Sequence, residues 1–553
     1  MNFNMVVGKY FFGNSIFLSL LVLISISFGL IGGCGGSSGN SSDGQGSSFN
    51  LKFKDVTLAS GFNYSHGFPV EDTNPKGLPQ SESQLISGGV ASGDYNNDGW
   101  VDLYVVHGPV GPDLLFKNLG NGTFEEVSET AGIDLSGRLG SGPIFADIDG
   151  DGNLDLLVGG VELTDIVLFH NNGDGTFEDI SEVSGIDVQN NFSAAFGDYD
   201  LDGDIDLFLT HWGTRVRGGM TSNHLWRNNG DSTFTDASLA SGIAQSFFGN
   251  RDSTFTPNFA DINNDGFPDL LIAVDFGNSR IFINQQNSTF METTNSVITD
   301  ENGMGAAVGD YDNDGDLDWF VSSIFDDDGV PEGNWGVTGN RLYRNKGNGS
   351  FEDVTVQAGV EHGYWGWGSC FMDFNNDGHL DLLHVNGFGN PNSVSAVQFI
   401  FDPTRLFMSN GDGTFTETSV QLGLDDTGQG RGVVCFDYDR DGDIDIFIAN
   451  NNQPPKFYRN DGGNENNFIN IELNGSSPNT EEIGARVKIT TGGKSQIREI
   501  QCGSNFVSQN PAVAHFGLGD NEIIDEIRVS WLDGQTTTLN NVNANQFLVI
   551  DHP

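Results

Sequence analysis

Short acidic side chains at alternate positions can curl around one hard cation, and this chain repeats that arrangement seven times. In GDYNNDGWVDLYVV, Gly93 to Val106, the residues Asp94, Asn96, Asp98, Gly99 and Asp102 stand at positions 1, 3, 5, 6 and 9 of a loop. Positions 1, 3, 5 and 9 are then refilled by Asp147, Asp149, Asp151 and Asp155; by Asp198, Asp200, Asp202 and Asp206; and by Asp261, Asn263, Asp265 and Asp269. Three more loops carry Asp310, Asp312, Asp314 and Asp318; Asp373, Asn375, Asp377 and Asp381; and Asp437, Asp439, Asp441 and Asp445. Glycine holds position 6 throughout, where the turn is sharp, and a backbone carbonyl near position 7 ordinarily adds one more oxygen. The chemistry to expect is Ca²⁺ binding at up to seven sites. A helix-loop-helix site would need a bidentate Glu at position 12, where this chain has Val105, Val158, Leu209, Ile272, Val321, His384 and Ile448. The flanks read instead as strands, ISGGVASGDY before the first loop and VDLYVVH after it, so each loop tips a β-hairpin.

The loops begin 53, 51, 63, 49, 63 and 64 residues apart, a period suited to propeller blades with variable insertions. A second signature follows each hairpin, as in LFKNLGNGTFEEVSETAGI from Leu115, where an aromatic strand, an Asn/Gly turn and a Phe-led strand make another hairpin. Two hairpins give four strands per unit. The seventh copy stops at FYRNDGG, Phe457 to Gly463, without its Phe-led strand, while FKDVT, Phe53 to Thr57, stands unpaired before the first loop. Joining the two closes the ring and removes its exposed edges. The expected fold is all-β, a seven-bladed β-propeller over residues 51–463. These residues carry a resemblance: GV-A-x-GDY-N-x-DG-x-x-DL resembles the FG-GAP/VCBS repeats of integrin α-like propellers. The resemblance implies metal loops on one face and ligands engaged from the other.

From 464 to 553 the repeats cease, and short alternating runs such as ARVKIT, SQIREI and EIRVSW read as a small β-sandwich. Gly484 to Val487, Ser508 to Asn510, His515 to Gly519 and Asn545-Gln546 resemble the ASPIC/UnbV domain, which accompanies such propellers in proteins similar to the cartilage acidic protein family. At the other end, residues 1–33 carry Lys9 and an apolar run from Ile16 to Ile31, an export signal whose 16 apolar residues are short for a spanning helix. Ile31-Gly32-Gly33-Cys34 resembles a bacterial lipobox, which implies lipidation of Cys34. Residues 34–50 then form a Gly/Ser tether. With Gly rather than Asp at position 35, the resemblance favours an outer-membrane or cell-surface lipoprotein of a bacterial envelope.

The formal charge is −52, from 24 basic and 76 acidic residues, and seven divalent ions would still leave −38. Nucleic acid and anionic lipid surfaces are therefore poor partners. Cys370, Cys435 and Cys502 read as small buried apolar residues. No nucleophile elbow, phosphate-binding glycine loop, HExxH or CxxC is evident. His107 and His211 fall at equivalent places two blades apart and read as surface histidines without a matching carboxylate. On the face opposite the metal loops, His211, Trp212, Arg215, Trp335, Trp365 and Trp367 fall on or beside long connections. Aromatic and Arg side chains on such loops suit recognition of an extracellular protein or glycan, or else pack between blades. The expectation is a binding or adhesion module without catalysis; the alternative is a polysaccharide-active or other enzyme with a loop-built site on the same face.

Overall fold

The computed structural model describes residues 51–553 apart from 72–75, 80, 214–223, 246–251, 278, 327–335, 390–394 and 504. Cys34, Arg215, Trp335, the export signal and the tether lie outside the described residues. Among the described residues no helix is long and apolar enough to cross a membrane.

Seven blades of four antiparallel strands follow one another in sequence, and two of them gain a fifth, short strand from the C-terminal segment. The first blade is built of Val90–Gly93, Asp102–Val105, Leu114–Asn118 and Phe124–Glu126. The last takes Gly430–Phe436, Asp445–Asn450 and Lys456–Asp461, and its fourth strand is Lys52–Asp55, with Lys52 opposite Asp461 and Asp55 opposite Tyr458. Ring closure by the segment that begins at Phe53 is thus present. In each blade the Phe opening the outermost strand is buried: Phe124, Phe177, Phe234, Phe290, Phe351, Phe415 and, supplied from the N-terminal end, Phe53. The core consequently lies between blades, as where Phe62 packs on Phe116, Phe124, Phe447 and Phe457 at the seam of the seventh and first.

Short helical turns follow the Phe-led strands at Ser128–Ala131, Ser181–Ser184, Thr355–Ala358 and Ser419–Leu422. Their first hydroxyl accepts the backbone N–H of Leu115, Leu168, Leu342 or Leu406, which pins the turn to its own blade. Each ends at a left-handed glycine.

The C-terminal segment forms two sheets. Asn467–Asn474 pairs with Ala514–Gly519 and Gln546–Asp551, and a four-stranded sheet runs in the order Lys494–Glu499, Arg486–Thr491, Ile523–Ser530, Thr536–Asn543. Its apolar side is continuous with the second and third blades, since Ile469, Ile489 and Phe516 share one buried cluster with Ile144, Phe196 and Leu207.

Between the two sheets the chain leaves the sandwich and enters the propeller's centre. Cys502–Gly503 adds to the innermost strand of the third blade, and Ser508–Gln509 runs parallel to that of the first. Between them Phe506 and Val507 are fully buried against Phe192, Phe255, Met304 and Trp367. Gln509 takes both backbone groups of Phe145 at 2.7 Å, and Asn505 Nδ2 donates to Val433 O at 2.8 Å. Gly89 shows how tight the fit is: its φ of 131° is open to glycine, and a Cβ there would collide with Val507 O. The opposite mouth is closed by the helix Glu82–Ile86, capped by Ser81 Oγ, whose Leu85 and Ile86 are buried in the same cluster. The central channel is filled from both ends.

Candidate metal centres

Each loop is shaped by its own carboxylates. The position-1 aspartate accepts the N–H groups of positions 5 and 6 in all seven copies, as Asp198 does from Asp202 at 3.2 Å and Gly203 at 2.9 Å. The position-5 aspartates Asp98, Asp151, Asp202, Asp265, Asp314, Asp377 and Asp441 each accept from position 7. Position 4 is left-handed in every loop, at Asn97, Gly150, Leu201, Asn264, Asn313, Asn376 and Arg440, and this bends the chain so that the acidic groups converge.

The position-9 aspartate is the pin between loop and sheet. Asp102, Asp155, Asp206, Asp269, Asp318, Asp381 and Asp445 are essentially unexposed. Their Oδ1 atoms accept from the backbone N–H of Asn118, Asn171, Asn228, Asn284, Asn345, Ser409 and Asn460 at 2.7–2.9 Å. The six asparagines in that series then reach into the preceding blade: Asn284 Nδ2 donates to Tyr199 O at 2.7 Å, and Asn118 Nδ2 to Tyr438 O at 2.9 Å across the ring closure. Sequence reasoning missed this bridge, although the recurring Asn of LFKN, LFHN, LWRN, IFIN, LYRN and FYRN was its visible signal.

Position 3 is different. Asp149, Asp200, Asp312 and Asp439 each hold a buried Oδ1 with no partner among the described residues. Where Asp fills position 3 the carboxylate oxygens close on one another, within 4.8 Å for Asp147, Asp149 and Asp151; Asp198, Asp200 and Asp206; Asp310, Asp312 and Asp318; and Asp437, Asp439 and Asp445. In the other three loops Asn96, Asn263 and Asn375 supply an amide instead, and Asn96 donates to Asp102 Oδ2 at 2.8 Å. Burial, and then the charge of neighbouring aspartates, pushes Asp102 up to about 9 and Asp437 to about 8. The same causes carry Asp198, Asp310 and Asp373 to about 7. Groups so placed are satisfied by a proton or by a cation. An all-oxygen set of carboxylates and amides suits a hard divalent ion of flexible coordination.

The C-terminal domain sits on this loop face. Thr480 Oγ1 donates to Asp147 Oδ2, Asn470 Nδ2 to Asp437 Oδ2 at 3.4 Å, and Arg486 Nη2 to Asp261 O at 2.7 Å. His515 Nε2 lies 2.7 Å from Asn376 Oδ1, and the Phe468 ring covers Gly442 so closely that no Cβ fits.

On the far face the expected recognition residues that the structure describes turn inward. Trp365 is 7% exposed and stacks on Phe388 at 4.1 Å, while Trp367 is 2% exposed and donates to Gly387 O at 2.9 Å. Trp212 is half-buried, stacked on Phe255 at 5.5 Å and donating to Asp275 Oδ2 at 2.9 Å. These three are walls between blades and around the filled channel, which corrects their placement on an open ligand face. His211 is no surface histidine either: it is 1% exposed, 5.2 Å from the His224 ring, whose Nε2 lies 3.0 Å from Asp252 Oδ2. The carboxylate that seemed to be missing comes from beyond the intervening loop. His107 is half-buried, its Nδ1 3.0 Å from Pro112 O. Cys370, Cys435 and Cys502 are free and buried.

Comparison with known proteins bears on the whole chain. The model of the FG-GAP-like repeat matches residues 94–158, 159–209, 215–272, 261–321, 325–384 and 386–448, and that of ASPIC and UnbV matches 475–553. Cartilage acidic protein 1 of Mus musculus is 26% identical over 480 residues, 72% of this chain and 71% of that protein. The Homo sapiens protein of the same name is 25% identical over 496 residues, 75% and 72% of the two chains. Among solved structures, an Agrocybe aegerita lectin that recognises non-reducing terminal N-acetylglucosamine aligns with a TM-score of 0.39 at 17% identity, over 62% of this chain and 81% of that one. YCF48 from Cyanidioschyzon merolae aligns with a TM-score of 0.37 at 12% identity, over 67% and 96%. With FG-GAP-like repeats across most of its length and an ASPIC and UnbV domain at its C-terminal end, this chain belongs to the FG-GAP-like repeat family.

Proposed function

We propose that this protein is an exported, lipid-anchored, calcium-stabilised propeller that serves as a binding or adhesion module for an extracellular protein or glycan. The observation that carries the calcium reading is the set of buried position-3 carboxylate oxygens without partners, aimed at carboxylates that the rest of the loop already holds in place. Positions 1, 3, 5 and 9 would hold the ion, and Ca²⁺ would supply the positive charge that seven acidic clusters lack. Melting in Ca²⁺ and in excess chelator tests this, with a lower Tm expected in chelator; equal values would exclude a structural role.

The binding reading rests on a ring whose sequence carries long connections between strands, two of them containing Arg215 and Trp335, and on similarity to proteins named for cartilage. His211, His224 and Asp252 are buried and so form no accessible acid-base group for the enzyme alternative. A glycan and matrix-protein array with product analysis is the direct experiment: retention without turnover, weakened by Arg215→Ala and Trp335→Ala, is expected. Anchoring predicts that Cys34→Ser moves the protein from the membrane to the soluble fraction.

A further inference from the structure

On the face away from the metal loops, a cavity of about 220 Å³ opens between the helix Glu82–Ile86 and the connections of the sixth and seventh blades. Its lining includes Ile400, Gln429, Arg431, Asn452 and Gln453, and among the described residues it holds one cation and no acid. That is unusual for a chain with a formal charge of −52. Arg431 is 1% exposed. Its Nε donates to Leu85 O at 2.8 Å, its Nη1 to Gly387 O and Gly430 O at 2.8 and 2.7 Å, and its plane lies 4.5 Å from the Trp367 ring. Nη2 makes no hydrogen bond among the described residues, and no carboxylate there forms an ion pair with this guanidinium. The contrast is the half-buried Arg498, which lies in the field of Asp373 and Asp310. A buried cation without a counter-ion is costly unless a ligand supplies the charge. With Nε and Nη1 committed, Nη2 can still donate a charge-assisted hydrogen bond to one oxygen of a carboxylate.

We propose that this cavity binds a small organic carboxylate, its acid group on Arg431 Nη2 and its uncharged polar body against the amides of Gln453 and Asn452. The Oε1 of Gln453 is already committed to the N–H of Gln429 at 2.8 Å, so its Nε2 is the atom presented as a donor. The volume admits about one sugar-acid or amino-acid residue, below the usual range for drug-sized ligands. The site is separate from the metal loops and does not depend on the adhesion reading.

Isothermal titration of the full chain in Ca²⁺ buffer tests this with D-galacturonate and N-acetylglycine, which present a carboxylate on two different bodies. D-galactose, N-acetylglycinamide and sulfate are the controls. Saturable one-to-one binding of at least one carboxylate, and of none of the controls, is expected, with the better of the two identifying the source. Arg431→Met should weaken it about tenfold or more. Because Arg431 also ties down three carbonyls, Ile400→Trp provides a second variant, filling the cavity while its backbone bond to Gln429 is kept; it should abolish binding at an unchanged Tm. No binding by either carboxylate, equal binding of a neutral analogue or of sulfate, or full binding by Ile400→Trp would overturn the proposal.

Discussion

At the scale of single residues, the metal loops divide their acids into two trades. Positions 1, 5 and 9 shape the loop, whereas at position 3 Asp149, Asp200, Asp312 and Asp439 each keep one buried oxygen without a partner among the described residues. Asp206→Ala removes a buried acceptor of Asn228 N–H and should therefore cost about 2–4 kcal/mol even in the absence of Ca²⁺. Asp312→Ala should leave the metal-free Tm unchanged or higher, by relieving like-charge crowding, while shrinking the rise that Ca²⁺ produces. Thermal melts of both variants in Ca²⁺ and chelator separate the two trades, and identical behaviour would contradict the division. His66 offers a pH test away from those loops. Burial, then the charges of His107 and Arg431, lowers it to about 3, and its Nδ1 accepts the Asn452 N–H at 2.8 Å. The neutral ring is the folded form. Its stabilisation is complete above the unfolded value near 6.5 and is lost as pH falls towards 3, at about 1.4 kcal/mol per unit within that window. His66→Asn keeps an acceptor and should flatten the dependence of Tm on pH between 6.5 and 4; an unaltered slope would discharge His66 from the role.

At the scale of elements, the blades are stitched by the asparagine that ends each third strand. Asn284→Ala would strand the carbonyls of Tyr199 and Pro268 and should cost about 2 kcal/mol. The sixth blade has Ser409 in that place, too short to span the gap, so Ser409→Asn should add about 1 kcal/mol, readable as a shift in urea midpoint. A neutral or destabilising Ser409→Asn would show that the stitch needs more than the amide. The loops, the four-strand unit, the count of seven and the closing strand were all legible in the sequence. Each is written in local spacing, and Phe53 matches Phe124 in type and register. The inward turn of Trp365 and Trp367 was not, because an aromatic on a long connection looks the same whether the connection arches outward or folds over the axis. The partnership of His224 with Asp252 was hidden for a related reason: 28 residues and a blade boundary separate them.

At the scale of the whole molecule, the C-terminal domain is the hub of the wheel. Its segment from Cys502 to Gln509 touches the inner strands of five blades' worth of backbone, through Phe196, Val90, Phe145, Ser369 and Val433. Nothing in the alternation of apolar and polar residues announced that insertion; Ser508-Gln509-Asn510 stood out in the sequence only by resemblance. Ending the chain at Gly463 would bare Ile144, Phe196 and Leu207 to water. The truncated protein should aggregate or bind a hydrophobic dye, judged by size-exclusion chromatography and fluorescence, whereas a monodisperse product with the parental Tm would make the hub dispensable.

The closing strand and the hub together dictate when this molecule becomes whole. Thr57 meets Phe457 across 400 residues, and Ser92 meets Gln509 across 417. A chain made from its N-terminus must therefore hold Lys52–Asp55 without its partner strand until Lys456–Asp461 has been made, with sheet edges open in the meantime. Nascent fragments of every intermediate length are vulnerable to mispairing, and closure follows only when Cys502–Gln509 has joined the inner strands.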